Sequence, residues 1–256
     1  MGLRFASLGS GSKGNAWLVE SGGTRVMVDC GFGPREASVR LARLGLAAGD
    51  LNGILVTHEH SDHGRGAAKL AQKARCPVWM SHGTQVMLES AGERPAHVEI
   101  VFGDEPFTVQ DLEIWPFPVP HDAREPMQFT FGDGASRFGL LTDAGHVTPH
   151  MVDMLVGCDA LALECNHDVT MLAQGNYPPA LKRRILGPFG HLDNTAAADL
   201  LRQIGGARLK HIAAAHLSQE NNRPALARQA LAGALGCEAD WIAIADQETG
   251  LDWRDV

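Results

Sequence analysis

The chain has 256 residues, 45% of them hydrophobic and 20% charged, and a formal net charge of −8. That length can bury a substantial core, and the acidic balance argues against a broad basic surface for nucleic acid while leaving room for an anion held at a local cationic site. No apolar segment of signal-peptide length opens the chain and nowhere do about 18 apolar residues run together, so a soluble cytoplasmic protein without a membrane span is expected.

Leu3 to Leu8 reads as a first strand. The glycine- and serine-rich stretch Ser7-Leu8-Gly9-Ser10-Gly11-Ser12-Lys13-Gly14-Asn15 then either offers backbone N–H groups to an anion or makes a plain tight turn before a second strand, Ala16 to Glu20. Gly22-Gly23 turns the chain into a third strand, Thr24 to Asp29, whose alternation ends in a carboxylate. The spacing predicts a helix from Pro34 to Leu44, with Ala37, Leu41 and Leu44 on one face and Arg35, Arg40 and Arg43 on a solvated one.

Gly53 to Val56 has the uninterrupted apolar character of a buried strand, and Gly64 to Ala74 has helical spacing. Between them lies Thr57-His58-Glu59-His60-Ser61-Asp62-His63. Two apart in such a turn, His58 and His60 can point the same way while Asp62 and His63 turn to a neighbouring point, which suits two metal ions side by side. A lone histidine is more often a packed or surface residue than a ligand. Three imidazoles and a carboxylate this close would repel one another on protonation, however, and make little structural sense without metal.

Val78-Trp79-Met80 is a short strand and Gly83 to Ser90 a helix, with His82 before it read as structural. Strands then dominate: Val98 to Phe102, Phe107 to Val109, Leu112 to Val119, Gln128 to Phe131 and Phe138 to Thr142. Thr148 is an N-cap candidate for a helix from Pro149 to Val156, followed by a buried strand, Asp159 to Glu164. Pro178 to Leu186 and Thr195 to Ile204 are expected helices, the second capped by Asn194. A strand from Lys210 to Ala215 ends at His216, a helix runs from Arg223 to Leu235, and β structure at Trp241 to Ala245 and Gly250 to Trp253 closes the chain. With no linker or close repeat, residues 1–256 read as one domain of two βα halves around a shared core. Five cysteines without C-x-x-C spacing argue against a disulfide framework, and Cys30 and Cys165 read as small buried thiols rather than ligands.

The His58–His63 cluster resembles, residue for residue, the signature of the metallo-β-lactamase fold, a family of mostly dinuclear metallohydrolases. Pro118-Val119-Pro120-His121-Asp122, Leu141-Thr142-Asp143-Ala144-Gly145 and Ala214-Ala215-His216-Leu217-Ser218 match its later motifs. The resemblance implies an α/β four-layer αββα sandwich around two divalent metal ions, with zinc favoured and Mn or Fe open, since mixed N and O ligands do not decide between them. One metal would take His58, His60, His121 and Asp143, the other Asp62, His63, His216 and Asp143, with Asp143 bridging and Asp29 supporting the histidine loop from behind. Two divalent ions against two ligand aspartates and a bridging hydroxide leave such a site at about +1, able to attract an anion.

Too few residues follow His216 for the helical substrate domain of glutathione thioester hydrolases, and the interval from Asp143 to His216 is too short for a β-CASP insert. The chain is most similar to the YycJ-type (WalJ) single-domain branch, associated with 5′ to 3′ DNA exonuclease activity. The similarity runs through Ser7 to Asn15, Leu163-Glu164-Cys165-Asn166-His167-Asp168, Tyr177-Pro178-Pro179-Ala180-Leu181-Lys182, Gly190-His191-Leu192-Asp193-Asn194 and Leu217-Ser218-Gln219-Glu220-Asn221-Asn222. Cys165 and Asp193 stand where that branch usually has serines, and Asp193 would put a carboxylate where a hydroxyl could approach phosphate. The resemblance implies substrate contacts from Ser10, Ser12, Asn15, Asn166, Asn194 and Ser218. Asp62, His191 and His167 are the expected catalytic groups, with either of those histidines protonating the leaving oxygen. Lys182-Arg183-Arg184 either binds a strand backbone or is a solvated helix face. The expected activity is DNA hydrolysis from a 5′ end, with no membrane partner and homo-oligomerisation left open. The alternatives are hydrolysis of a small thioester, lactone or cyclic phosphate, and a regulatory metal-binding role, which the complete ligand set disfavours.

Overall fold

A computed structural model describes residues 2–256. Two seven-stranded sheets form the centre. The first contains β1 (Arg4–Gly9), β2 (Ala16–Ser21), β3 (Thr24–Val28), β4 (Gly53–Leu55), β5 (Val78–Met80) and β6 (Val98–Ile100). The second contains β7 (Phe107–Val109), β8 (Leu112–Pro118), β9 (Met127–Gly132), β10 (Arg137–Leu141), β11 (Ala160–Glu164), β12 (His211–Ala215) and β13 (Ala243–Ile244). The last strand, β14 (Leu251–Asp255), returns to the first sheet and pairs antiparallel with β1.

Period-two alternation decides which side chains meet. Phe5, Trp17, Val19, Val26 and Val28 of the first sheet pack against Phe129, Phe131, Phe138, Leu140 and Ala162 of the second, so one core lies between the sheets. The alternate residues Ala6, Leu18 and Met27 face the helices Pro34–Arg43 and Ala67–Ala74, while Leu161, Leu163 and Ile212 face Pro149–Leu155, Asn194–Ile204 and Pro224–Leu235. Three apolar layers separate helix, sheet, sheet and helix, which is the expected αββα sandwich. No helix among the described residues is long and apolar enough to cross a membrane.

β3, β4 and β5 run parallel, as do β10, β11, β12 and β13. Their carboxyl ends open on one edge of the sandwich, where crevices in α/β sheets form. Asp29, Thr57, Thr142 and His216 begin the loops that leave β3, β4, β10 and β12 there.

Several local expectations need correction. Arg40 does not belong to a solvated face: it is 7% exposed, and its Nη1 donates to the carbonyls of Leu8, Gln247 and Glu248. Asp193, not Asn194, caps the helix Asn194–Ile204, accepting from the N–H groups of Thr195 and Ala196. The helix expected from Gly64 to Ala74 is two, Ser61–Gly64 and Ala67–Ala74. The His63 carbonyl is taken by Cys30 N–H and Gly66 N–H donates to the Cys30 carbonyl, so the loop after β3 wedges into the turn. That approach is too close for side chains, since a Cβ on Gly31 would lie 1.8 Å from the Asp62 carbonyl oxygen and one on Gly66 2.0 Å from that of Phe32. A short helix, Val169–Gln174, capped by Asp168, was not expected, and Trp241 ends a 3₁₀ turn rather than starting a strand.

Candidate metal centre

The histidine loop hangs on Asp29. This residue is fully buried at the end of β3, in the left-handed region at φ 61°, which a short polar side chain tolerates. Its Oδ1 accepts from Thr57 N–H at 2.8 Å, and its Oδ2 faces Thr57 Oγ1 at 2.9 Å and His63 Nδ1 at 2.8 Å. With its hydroxyl committed to Asp29, Thr57 accepts from His58 Nδ1 at 2.9 Å. The Nε2 atoms of both imidazoles are thereby turned away from the supporting carboxylate.

His58 Nε2 lies 3.0 Å from His60 Nδ1, which in turn lies 3.3 Å from His121 Nε2. His121 Nδ1 donates to the Gly190 carbonyl, so its Nε2 turns a lone pair inward. Three ring nitrogens from two distant loops thus share one point. A second group joins Asp62, His63 and His216, with His63 Nε2 and His216 Nε2 each 3.5 Å from Asp62 Oδ2. Asp143 sits between the groups: its Oδ2 is 3.1 Å from His63 Nε2, and its Oδ1 is 3.9 Å from His121 Nε2 and 3.2 Å from His216 Nδ1. The seven expected ligand side chains are brought together.

Asp143 Oδ2 and His216 Nε2 are buried without a hydrogen-bond partner. A buried polar atom without a well-aligned partner is rare in a closed interior, and the nitrogen and carboxylate ligand atoms around these two fit divalent cations. His216 also has the left-handed backbone (φ 52°) that a non-glycine residue adopts only under constraint, and its N–H is fixed by Ser10 Oγ at 2.9 Å.

Electrostatics separate the two groups. Burial, followed by the neighbouring His63, holds His58 well below its ordinary value, and burial likewise lowers His121. Burial acts the same way on His63, but Asp143, Asp29 and Asp62 outweigh it and hold that imidazole well above the usual range. Against the same burial, Asp143 and Asp62 lift His216 to about 9, and Glu164 with Asp143 lifts His191 to about 10.

Glu164 has no role in the sequence reading. It is fully buried, accepts from Ala144 N–H and Leu192 N–H through Oε2, and meets His191 Nδ1 at 2.7 Å and His216 Nδ1 at 3.3 Å through Oε1. The available signal was its place at a strand end, like Asp29 and Asp143. Thr57 and Gln247 were also missed. Gln247 Oε1 accepts from Lys13 N–H while its Nε2 donates to the Gly14 carbonyl, clamping the serine-rich loop.

A cleft of about 370 Å³ opens over Asp62, Asp143 and His216. Ser12, Asn166, Ser218 and His191 line it. Ser10, Asn15, Asn194 and His167 lie behind the wall. Ser10 bonds Asn15, whose Nδ2 stands 3.1 Å from His63 Nε2, and Asn194 exchanges amide hydrogen bonds with Asn222. His167 is 1% exposed. Asp193 turns its carboxylate to the helix cap, a role that serine at that position could also fill.

A family model described as a beta-lactamase superfamily domain matches residues 24–212. The chain is 39% identical to the exodeoxyribonuclease YycJ of Bacillus anthracis, over 92% of this chain and 90% of that protein. It is 34% identical to the exodeoxyribonuclease WalJ of Streptococcus pneumoniae, over 99% of this chain and 93% of that one. Among solved structures, the metallo-beta-lactamase fold protein YhfI of Bacillus subtilis superposes with a TM-score of 0.75 at 15% identity, covering 100% of both chains.

Proposed function

The chain belongs to the metallo-β-lactamase superfamily and is a metal-dependent hydrolase, and on that premise we propose that it is a DNA phosphodiesterase releasing nucleotides from a 5′ end. The observation that carries this reading is the composition of the cleft wall. Beside the two ligand groups stand uncharged donors, Ser12, Asn166 and Ser218, and one imidazole, His191, a set suited to phosphodiester oxygens.

His58, His60, His121 and Asp143 would hold one divalent ion and Asp62, His63, His216 and Asp143 the other, with zinc the proposed metal. Such ions lower the pKa of bound water and neutralise charge on the oxygens of the group under attack. The chain's own side chains do the rest. Ser12, Asn166 and Ser218 orient the phosphate, and Asp29, Ser10 and Asn15 hold the ligands from behind. Asp62 anchors the second group at the cleft floor. His191, with Nδ1 bound to Glu164, keeps Nε2 free to give a proton to the leaving oxygen. His167 is buried behind the wall and supports rather than donates.

Incubation of metal-loaded protein with 5′-labelled DNA should release labelled nucleotides progressively, and chelation should stop it. Turnover of a thioester with no DNA hydrolysis would sink the reading. His191→Ala should slow DNA cleavage by about 10²–10⁴-fold while sparing a nitrophenyl phosphodiester, whose leaving group needs no proton. Equal losses on both substrates would remove His191 from the acid role.

A further inference from the structure

One wall of the metal cleft bears no ligand. Tyr177, Leu181 and Ile185 line it: Leu181 and Ile185 lie one turn apart on the helix Pro179–Ile185, and Tyr177 sits in the bend just before that helix, so the three make one apolar stripe of the wall. None of that helix's residues is buried, and the stripe is therefore part of no core. Seven residues do not hold a helix in water by themselves. Polar anchors fix it instead: Lys182 Nζ donates to the Ala173 carbonyl at 2.7 Å, and Arg184 Nε donates to Asp122 Oδ2 at 2.5 Å, beside the ligand His121. The apolar stripe is thus presented to the cleft by bonds made elsewhere.

Arg184 also lines the wall, but Asp122 already balances its charge. The wall therefore offers surface rather than a second anion site, and the complementary part of a ligand is flat and uncharged. In a nucleotide that part is joined to the phosphate through one sugar, and metal ligands and stripe bound the same cleft of about 370 Å³. We propose that the stripe is a stacking platform for the nucleobase of the nucleotide whose phosphate lies at the metal centre, with Tyr177, the chain's single tyrosine, supplying the ring. This rests on the nuclease reading above. Stacking on a ring accepts any base, so the platform confers affinity without sequence preference.

The test uses metal-loaded protein and a phosphorothioate oligodeoxynucleotide with 2-aminopurine at its 5′ end. Wild type and Tyr177→Phe should quench the 2-aminopurine fluorescence. Tyr177→Ala and Tyr177→Leu should lose the quenching and bind about tenfold more weakly, the leucine variant separating ring from apolar area. An oligonucleotide with an abasic 5′ residue should bind wild type and Tyr177→Ala alike. Unchanged quenching and affinity in Tyr177→Ala would overturn the platform while leaving the nuclease reading intact, since release of labelled nucleotides judges that separately. Absence of DNA binding by wild type would overturn both.

Discussion

Glu164 shows how one buried carboxylate can fix several functional side chains. Its partners lie 20, 27, 28 and 52 residues away, at Ala144, His191, Leu192 and His216. Both oxygens act only as acceptors. Glutamine at this position keeps the shape but turns an NH₂ either to two backbone N–H groups or to two imidazoles. Glu164→Gln should therefore weaken zinc affinity or DNA cleavage by about 10–100-fold, read by competition with a metal chelator and by initial rates. A drop in melting temperature with unchanged metal affinity would make the residue merely structural. The His58–His63 cluster was legible in sequence because its members are neighbours in the chain. Glu164 was not, because no local pattern records a network that only the fold assembles. The thiols give a second case at this scale. Burial pushes Cys30 and Cys158 up to about 12, raises Cys165 further and lifts half-buried Cys76 to about 11, while Cys237 is exposed. Iodoacetamide at neutral pH, followed by peptide mass mapping, should label Cys237 first and Cys30, Cys158 and Cys165 only on unfolding. Early labelling of Cys30 or Cys165 would contradict their reading as inert core residues.

Elements were more legible than their joints. Short apolar segments bounded by glycine-rich turns placed β1, β2 and β3 to within a residue or so, because both faces of each strand are buried against a distinct layer. Amphipathic spacing located the helix Pro34–Arg43 but misread Arg40, whose carbonyl partners at Gln247 and Glu248 lie more than 200 residues away. The cap of the helix Asn194–Ile204 was misplaced by one residue. Both Asp193 and Asn194 are cap formers, and what selects the aspartate is that the Asn194 amide is taken by Asn222. The cap makes a separable prediction. Asp193→Ala should cost about 0.5–2 kcal/mol, a fall of roughly 2–4 °C in Tm per kcal/mol for a chain of this size, whereas Asp193→Ser should stay close to wild type. DNA cleavage should survive both changes. A large rate loss in Asp193→Ser with an unchanged melting temperature would place the carboxylate at the substrate instead.

Across the whole molecule, protons and metal ions compete for the same edge of the sandwich. Without metal, the carboxylates Asp143, Glu164 and Asp62 stay ionised: burial opposes this, but nearby imidazoles outweigh it, drawing Asp62 to about 2 and Asp143 well below its ordinary range. His63, His191 and His216 stay protonated in return. The raised imidazoles contribute stability that is complete below about pH 6.5 and is lost as pH rises through the values near 9 and 10 of His216 and His191. The lowered carboxylates contribute stability present above about pH 4 and lost as pH falls through their depressed values. Metal-free protein should therefore weaken between about pH 7 and about pH 10, and zinc should remove that alkaline loss by replacing protons as the balancing charge. Denaturant melts across that range, with and without chelator, read this directly. The two groups should also differ from each other. His58 and His121 are already neutral, so metal entering beside them displaces no proton from either ring. Metal entering between His63 and His216 must displace theirs. Calorimetric zinc titration near pH 7.5 in buffers of different ionisation enthalpy should thus show proton release mainly with one of two equivalents. Equal release with both, or none, would mean that the two groups are not the charge-separated pair their surroundings make them.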